Sequence, residues 1–85
     1  MEKRIITESM LLDYRNYLKE EEKSRNTIEK YMRDIREFHV WLAEYPLSRQ
    51  KVMAYKERLK EIYAVRSVNS ILSSVNSFLR YCGWS

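Results

Sequence analysis

Two rows of polar side chains in this sequence have the composition and the spacing to bind an anion. Serines at intervals of three, four and three residues form the first row, which Arg66 precedes: Ser67, Ser70, Ser74 and Ser77. Amide, hydroxyl and cationic groups form the second row: Arg25, Asn26, Thr27, Lys30 and Arg33. Intervals of three and four place side chains on one face of a helix. Such groups donate to phosphate oxygens and reach base edges, so the two rows together predict a DNA-facing surface.

The residues that could carry out catalysis are few. His39 is the only histidine, and we expect it at the surface because no serine or cysteine nucleophile accompanies it. Asp34 and Glu37 lie beside arginines and are expected to form local ion pairs. Cys82 is expected to be an inert packing residue. Without a glycine-rich phosphate loop or a metal-ligand cluster, the sequence predicts no enzyme, no cofactor and no metal site.

Length and composition limit the architecture. The 85 residues predict one domain over 1–85, and such a chain buries roughly 60–65% of its unfolded surface. One glycine and one proline are too few for the turns of a many-stranded sheet, which favours an all-α fold. The net charge of +4 favours polyanions without identifying one. A single cysteine and apolar runs of at most four residues predict a cytoplasmic protein without membrane spans.

Capping residues and apolar periodicity predict four helices. These run from Thr7 to about Glu22, from Ser24 to Tyr45, from Ser48 to Ile62, and from about Ser67 to Gly83. Three of them begin at a hydroxyl residue that can cap free amides, and Pro46 disfavours helical geometry in the residue before it. Short connections between amphipathic helices predict a compact antiparallel four-helix bundle.

The apolar stripes of the four helices predict the core. Its expected members are Met10, Leu11, Tyr14, Tyr17 and Leu18 in the first helix, Ile28, Tyr31, Ile35, Phe38, Leu42 and Tyr45 in the second, Val52, Tyr55, Leu59 and Ile62 in the third, and Val68, Leu72, Val75 and Leu79, flanked by Ile71, Phe78 and Cys82, in the fourth.

The serine row has a second interpretation. Small side chains on one helix face also permit close packing against another helix. The residues alone therefore leave open a small helical protein–protein interaction domain that does not bind DNA and whose serine face packs on another subunit.

Two stretches in the right order resemble a known family. The first is Ser24, Asn26-Thr27-Ile28, Tyr31, Asp34-Ile35, Phe38 and Trp41-Leu42. The second is Ser67-Val68-Asn69, Leu72-Ser73, Val75, Ser77-Phe78 and Tyr81, with Ser67 in place of the more common threonine. Both resemble the N-terminal core-binding domain of tyrosine recombinases, the phage-integrase family. The resemblance extends from about Thr7 to Gly83.

The resemblance implies a SAM-like four-helix bundle that forms one half of a clamp around double-stranded DNA during integration or recombination. The starts of the second and fourth helices would then face the major groove, which implicates Asn26, Thr27, Lys30, Arg33, Arg66, Ser67, Ser70 and Ser74. Further partners would be the catalytic domain of the parent protein and other recombinase protomers on the same DNA.

The resemblance also implies where the chemistry of the family is carried out. A second, C-terminal domain supplies an arginine, a lysine, a His-x-x-Arg element and a tyrosine nucleophile. Leu42, not arginine, follows His39 by three residues. Since the chain stops near Trp84, about where the interdomain linker would begin, we expect the catalytic domain to be absent from it and the chain itself not to cleave DNA.

Overall fold

The computed structural model describes residues 4–84 and is all-helical in that range. Its four helices are α1 (Glu8–Glu20), α2 (Arg25–Leu42), α3 (Arg49–Ile62) and α4 (Val65–Tyr81). The predicted caps of the first three are confirmed: Thr7, Ser24 and Ser48 each accept a hydrogen bond from a backbone N–H in the first turn. None of the helices between residues 4 and 84 has the length and apolar character needed to cross a membrane.

The end of α2 differs from the prediction by three residues. Ala43 has a φ of 56°, which stops the helix after Leu42, while the N–H of Ala43 still donates to the carbonyl of His39. The chain then turns so that Leu47 enters the core and its N–H donates to the carbonyl of Arg4 at 2.7 Å. Tyr45 was wrongly predicted as a core residue, because this turn leaves it 61% exposed.

Helix α2 lies at the centre of the bundle, where it packs on both α1 and α4, and α3 packs on α4. Phe38 is fully buried, 4.9 Å from the ring of Tyr55, and Tyr14 meets Phe78 edge-on at 5.2 Å. Burial raises the pKa of both Tyr14 and Tyr55 to about 12. Packing on two sides of α2 therefore builds one continuous core from the predicted stripes.

The edges of the core differ from the prediction. Ile62 is 58% exposed because it is the last residue of α3. Tyr17 is 39% exposed, and its hydroxyl donates to Glu21. Met32 and Ile6, which the stripes did not include, are buried. Apolar spacing thus predicts which face of each helix points inward. It does not predict how much of that face the neighbouring helices cover.

Candidate nucleic-acid interface

A buried carboxylate joins the two helices that carry the polar rows. Asp34 of α2 is 4% exposed. Its Oδ2 accepts from the Nζ of Lys30 at 2.6 Å and from the hydroxyl of Ser74 on α4 at 2.8 Å. The Nζ of Lys30 also donates to the carbonyl of Ser70 at 3.3 Å and to the hydroxyl oxygen of Ser74 at 3.1 Å. These bonds compensate the buried charge and fix α2 against α4.

This cluster changes the expected role of two site residues. Ser74 has no exposed surface, so the prediction that its hydroxyl lies in an exposed row is wrong. The ammonium of Lys30 is held by three acceptors inside the protein, whereas the sequence suggested that it is free to contact phosphate. Sequence reasoning missed Asp34 as part of the helix contact. Its position beside the core residue Ile35, four residues after a lysine, was the available signal.

A cleft of about 330 Å³ lies beside this cluster, between α2 and α4. Four residues of the predicted site line it: Lys30, Arg33, Ser67 and Ser70. The side chain of Arg33 is 66% exposed, and its Nε lies 3.9 Å from the nearer oxygen of Asp34. For these four residues, the expectation that the two rows share one side of the domain is met.

The serine row does not stay in that cleft along its whole length. Ser67, at the start of α4, shares the cleft with Glu37, whereas Ser74 contacts Lys30, two turns earlier in α2. The two helices therefore run antiparallel. Ser77 lies beyond the crossing point, in a different cleft with Tyr31. The row is divided because α4 crosses α2 at Ser74, which regular spacing along one helix does not reveal.

The start of α2 presents its polar groups on both sides of the helix. Asn26 is exposed, and the Oγ1 of half-buried Thr27 accepts from the hydroxyl of Ser24 at 2.9 Å. The side chain of Arg25 is 90% exposed and its Nε lies 3.1 Å from Glu29. Arg25 lines a further cleft on the α1 side, so the structure does not gather all ten predicted residues in one place.

The start of α4 is open to solvent. Helix α4 begins two residues before the predicted start, and its N-cap is Ala64, which makes no side-chain capping bond. Arg66 and Ser67 in the first turn are exposed. The first amides of a helix have no intrahelical acceptor and attract anions. An exposed arginine at such a start is suited to a phosphate group.

Two of the four residues considered for catalysis, His39 and Cys82, are half-buried. His39 is half-buried rather than at the surface, and its Nε2 lies 3.1 Å from the carbonyl of Ile6, to which it can donate. Cys82 is half-buried, and burial raises the pKa of its thiol. Between residues 4 and 84, histidine, cysteine and carboxylate side chains do not form a group of three that could hold a metal ion.

The comparison with family models identifies the chain. The model described as phage integrase, N-terminal SAM-like domain, matches residues 11–84. The chain belongs to this family. No curated protein and no solved structure matches it. The match confirms the resemblance inferred from the two stretches, and the four helices agree with an all-α SAM-like domain. Membership associates this integrase SAM-like domain with recombinases of the tyrosine family.

Proposed function

We propose that this domain binds double-stranded DNA through the cleft between α2 and α4 and thereby positions a recombinase catalytic domain for DNA integration or recombination. The observation that carries the proposal is the meeting of Arg33, Ser67 and Ser70 in one cleft of a chain that belongs to the integrase SAM-like family. Cationic and hydroxyl groups together are suited to backbone contacts and groove contacts.

The residues of this face have different roles in the proposal. Arg33 and Arg66 are exposed and contact phosphates, and the open amides at the start of α4 add to this contact. In the proposal, the hydroxyl groups of Ser67 and Ser70 in the cleft and the exposed amide of Asn26 at the start of α2 contact the groove. Lys30 acts indirectly, because its ammonium holds Asp34 and Ser74 and so sets the position of α4 against α2.

The partners follow from the same proposal. The domain itself does not cleave DNA, and the catalytic domain of the parent protein supplies the chemistry. Other recombinase protomers bind the same duplex, and the complex functions in the cytoplasm. Since two domains of a clamp share binding, each alone binds more weakly than the two together.

Salt-dependent binding to a labelled duplex tests the proposal. We expect the chain to bind at low ionic strength and its affinity to fall with salt. The affinity constant K falls as salt rises, so a plot of log K against log salt concentration has a negative slope. Arg33→Gln and Arg66→Gln should each make that slope shallower by about 0.9, because each removes one phosphate contact. Lys56→Gln is the matched control, since Lys56 is an exposed cation on α3. Fluorescence anisotropy gives the slopes, and circular dichroism verifies the helicity of each variant.

Two results would reject the proposal in different ways. If both arginine variants bind like the parent, the DNA lies on another face. If the unsubstituted domain does not bind duplex DNA even at low salt, it is not a DNA-binding module.

The alternative function, a protein–protein interaction domain, is favoured by one observation. Three exposed apolar side chains line one cleft between α2 and the end of α3: Val40 at 77%, Ile62 at 58% and Tyr63 at 42%. Exposed apolar groups that adjoin one another are typical of protein contacts. Dimerisation in sedimentation experiments, together with indifference to DNA, would support this alternative.

A further inference from the structure

A second cluster of cations lies along the other edge of the exposed side of α2, next to α1 rather than α4. It surrounds a cleft of about 360 Å³ between α1 and α2, and we call it the α1–α2 basic cleft. Its lining contains four cations, one carboxylate and one apolar residue: Arg15, Lys19, Lys23, Arg25, Glu29 and Ile28. Only Arg25 belongs to the predicted site, so most of this cluster has no role in the function proposed above.

The charge of this cleft is poorly balanced. Glu29 is its one acidic residue, and it pairs with Arg25. Among residues 4–84, Arg15, Lys19 and Lys23 make no ion pair within 4.0 Å. All three are exposed. Three exposed cations that have no carboxylate partner within the described part of the chain favour a polyanion at this cleft.

The three consecutive acidic residues around the end of α1, Glu20–Glu22, do not line the basic cleft. Glu21 accepts from the hydroxyl of Tyr17 and lines a separate cleft with Lys23 and Ser77. Lys23 therefore borders both clefts, and Arg15 and Lys19 are the α1 cations that the basic cleft depends on.

The basic cleft continues the proposed DNA face. Helix α2 packs between α1 and α4, with Arg25 on the α1 side and Arg33 on the α4 side. The two arginines are eight residues apart, which corresponds to about 12 Å along a helix. A duplex lying across the exposed side of α2 can therefore meet both clefts.

We propose that the α1–α2 basic cleft binds the sugar–phosphate backbone of the duplex whose groove meets the α2–α4 cleft. The proposal rests on the proposed function. The four side chains of the cleft that can donate are all cationic, and exposed arginine and lysine side chains supply the electrostatic contacts that proteins make to phosphate oxygens. Arg15, Lys19 and Lys23 thus add affinity and fix the orientation of the domain on DNA.

The test compares two double variants with the same spacing. Arg15→Gln with Lys19→Gln removes two cations from the cleft, and Lys56→Gln with Lys60→Gln removes two exposed cations from α3. We expect the first pair to reduce the salt slope by about 1.8 and to weaken duplex binding roughly tenfold or more at low salt. The loss should be equal for duplexes of unrelated sequence. The second pair should bind like the parent, and circular dichroism should show unchanged helicity in both.

The outcomes separate this inference from the proposed function. If the α1 pair keeps the slope of the parent while Arg33→Gln and Arg66→Gln lower it, the basic cleft does not touch DNA and the proposed function stands. If the α1 pair loses binding only to vesicles containing phosphatidylserine, the cleft serves a membrane surface and the inference is wrong. If the unsubstituted domain does not bind duplex DNA, both proposals are wrong.

Discussion

Asp34 brings a negative charge into the contact between α2 and α4, where it is 4% exposed. A buried carboxylate is costly unless cations and hydrogen-bond donors surround it. Lys30 and Ser74 provide them, at 2.6 and 2.8 Å from the same oxygen. The position of α4 against α2, and so the shape of the proposed DNA face, depends on these three side chains.

We therefore expect Lys30→Met to destabilise the domain. The change removes a charged hydrogen bond and leaves the Asp34 carboxylate with less compensation, which should cost roughly 1–3 kcal/mol of unfolding free energy. Urea denaturation followed by circular dichroism measures it. Adding Asp34→Leu should recover part of the loss, because the uncompensated charge is then gone.

Lys56→Met is the control, and as an exposed change it should stay within about 0.5 kcal/mol of the parent. A Lys30→Met variant that unfolds at the same urea concentration as the parent would show that Lys30 is not needed to compensate Asp34.

Single residues show how far the sequence could predict the site. Cap residues and inward stripes follow from local chemistry and from helical period, so Ser24 and Phe38 could be placed correctly. The burial of Ser74 could not be predicted in this way. Helical periodicity gives the direction of a side chain around the helix axis, but not the point along the helix at which a neighbouring helix crosses. For the same reason the sequence predicted Ser74 and Ser77 in one row, although the crossing at Ser74 separates them.

Among the elements, the start of α4 differs from the other helix starts. It is the one helix between residues 4 and 84 whose N-cap makes no side-chain bond. An open helix start loses capping energy but leaves amides free for an anion. The absence of a cap at Ala64, with Arg66 two residues later, is consistent with a helix start whose free amides bind a phosphate.

Substitution of Ala64 separates stability from binding. Ala64→Ser and Ala64→Asp should each stabilise the domain by about 1 kcal/mol, because both side chains can cap the helix. Ala64→Asp should also weaken duplex binding, since its carboxylate repels a phosphate at the same amides. Thermal unfolding and anisotropy measure the two effects. If Ala64→Asp binds DNA as tightly as Ala64→Ser, phosphate does not meet the start of α4.

Prediction at the level of elements was limited by turns. The sequence predicted four helices, which the structure confirms, but placed the end of α2 at Tyr45 because Pro46 was the nearest visible stop signal. The actual stop is the positive φ of Ala43. An alanine is not a residue type that signals such a conformation, since positive φ normally favours glycine. Leu47 is buried in the core just after this turn, a tertiary contact that local sequence signals do not reveal.

At the scale of the whole molecule, α2 separates two surfaces of related character. One cleft carries hydroxyl groups with Arg33, and the other carries cations from α1 with Arg25. The two motif stretches predicted the family, and the polar rows included four of the residues that line the first cleft. The second was not predicted, although Arg15, Lys19 and Lys23 recur every four residues, because spacing along α1 does not reveal that the start of α2 packs beside them.

The central claim is that duplex DNA meets the α2–α4 face, and mapping of backbone amide signals by nuclear magnetic resonance tests it most directly. Unlabelled duplex is added to the ¹⁵N-labelled domain at low salt. We predict that the largest shift changes fall at residues 26–33 and 65–70, with little change in the middle of α3. Changes concentrated in α3, or none at saturating duplex, would contradict the claim.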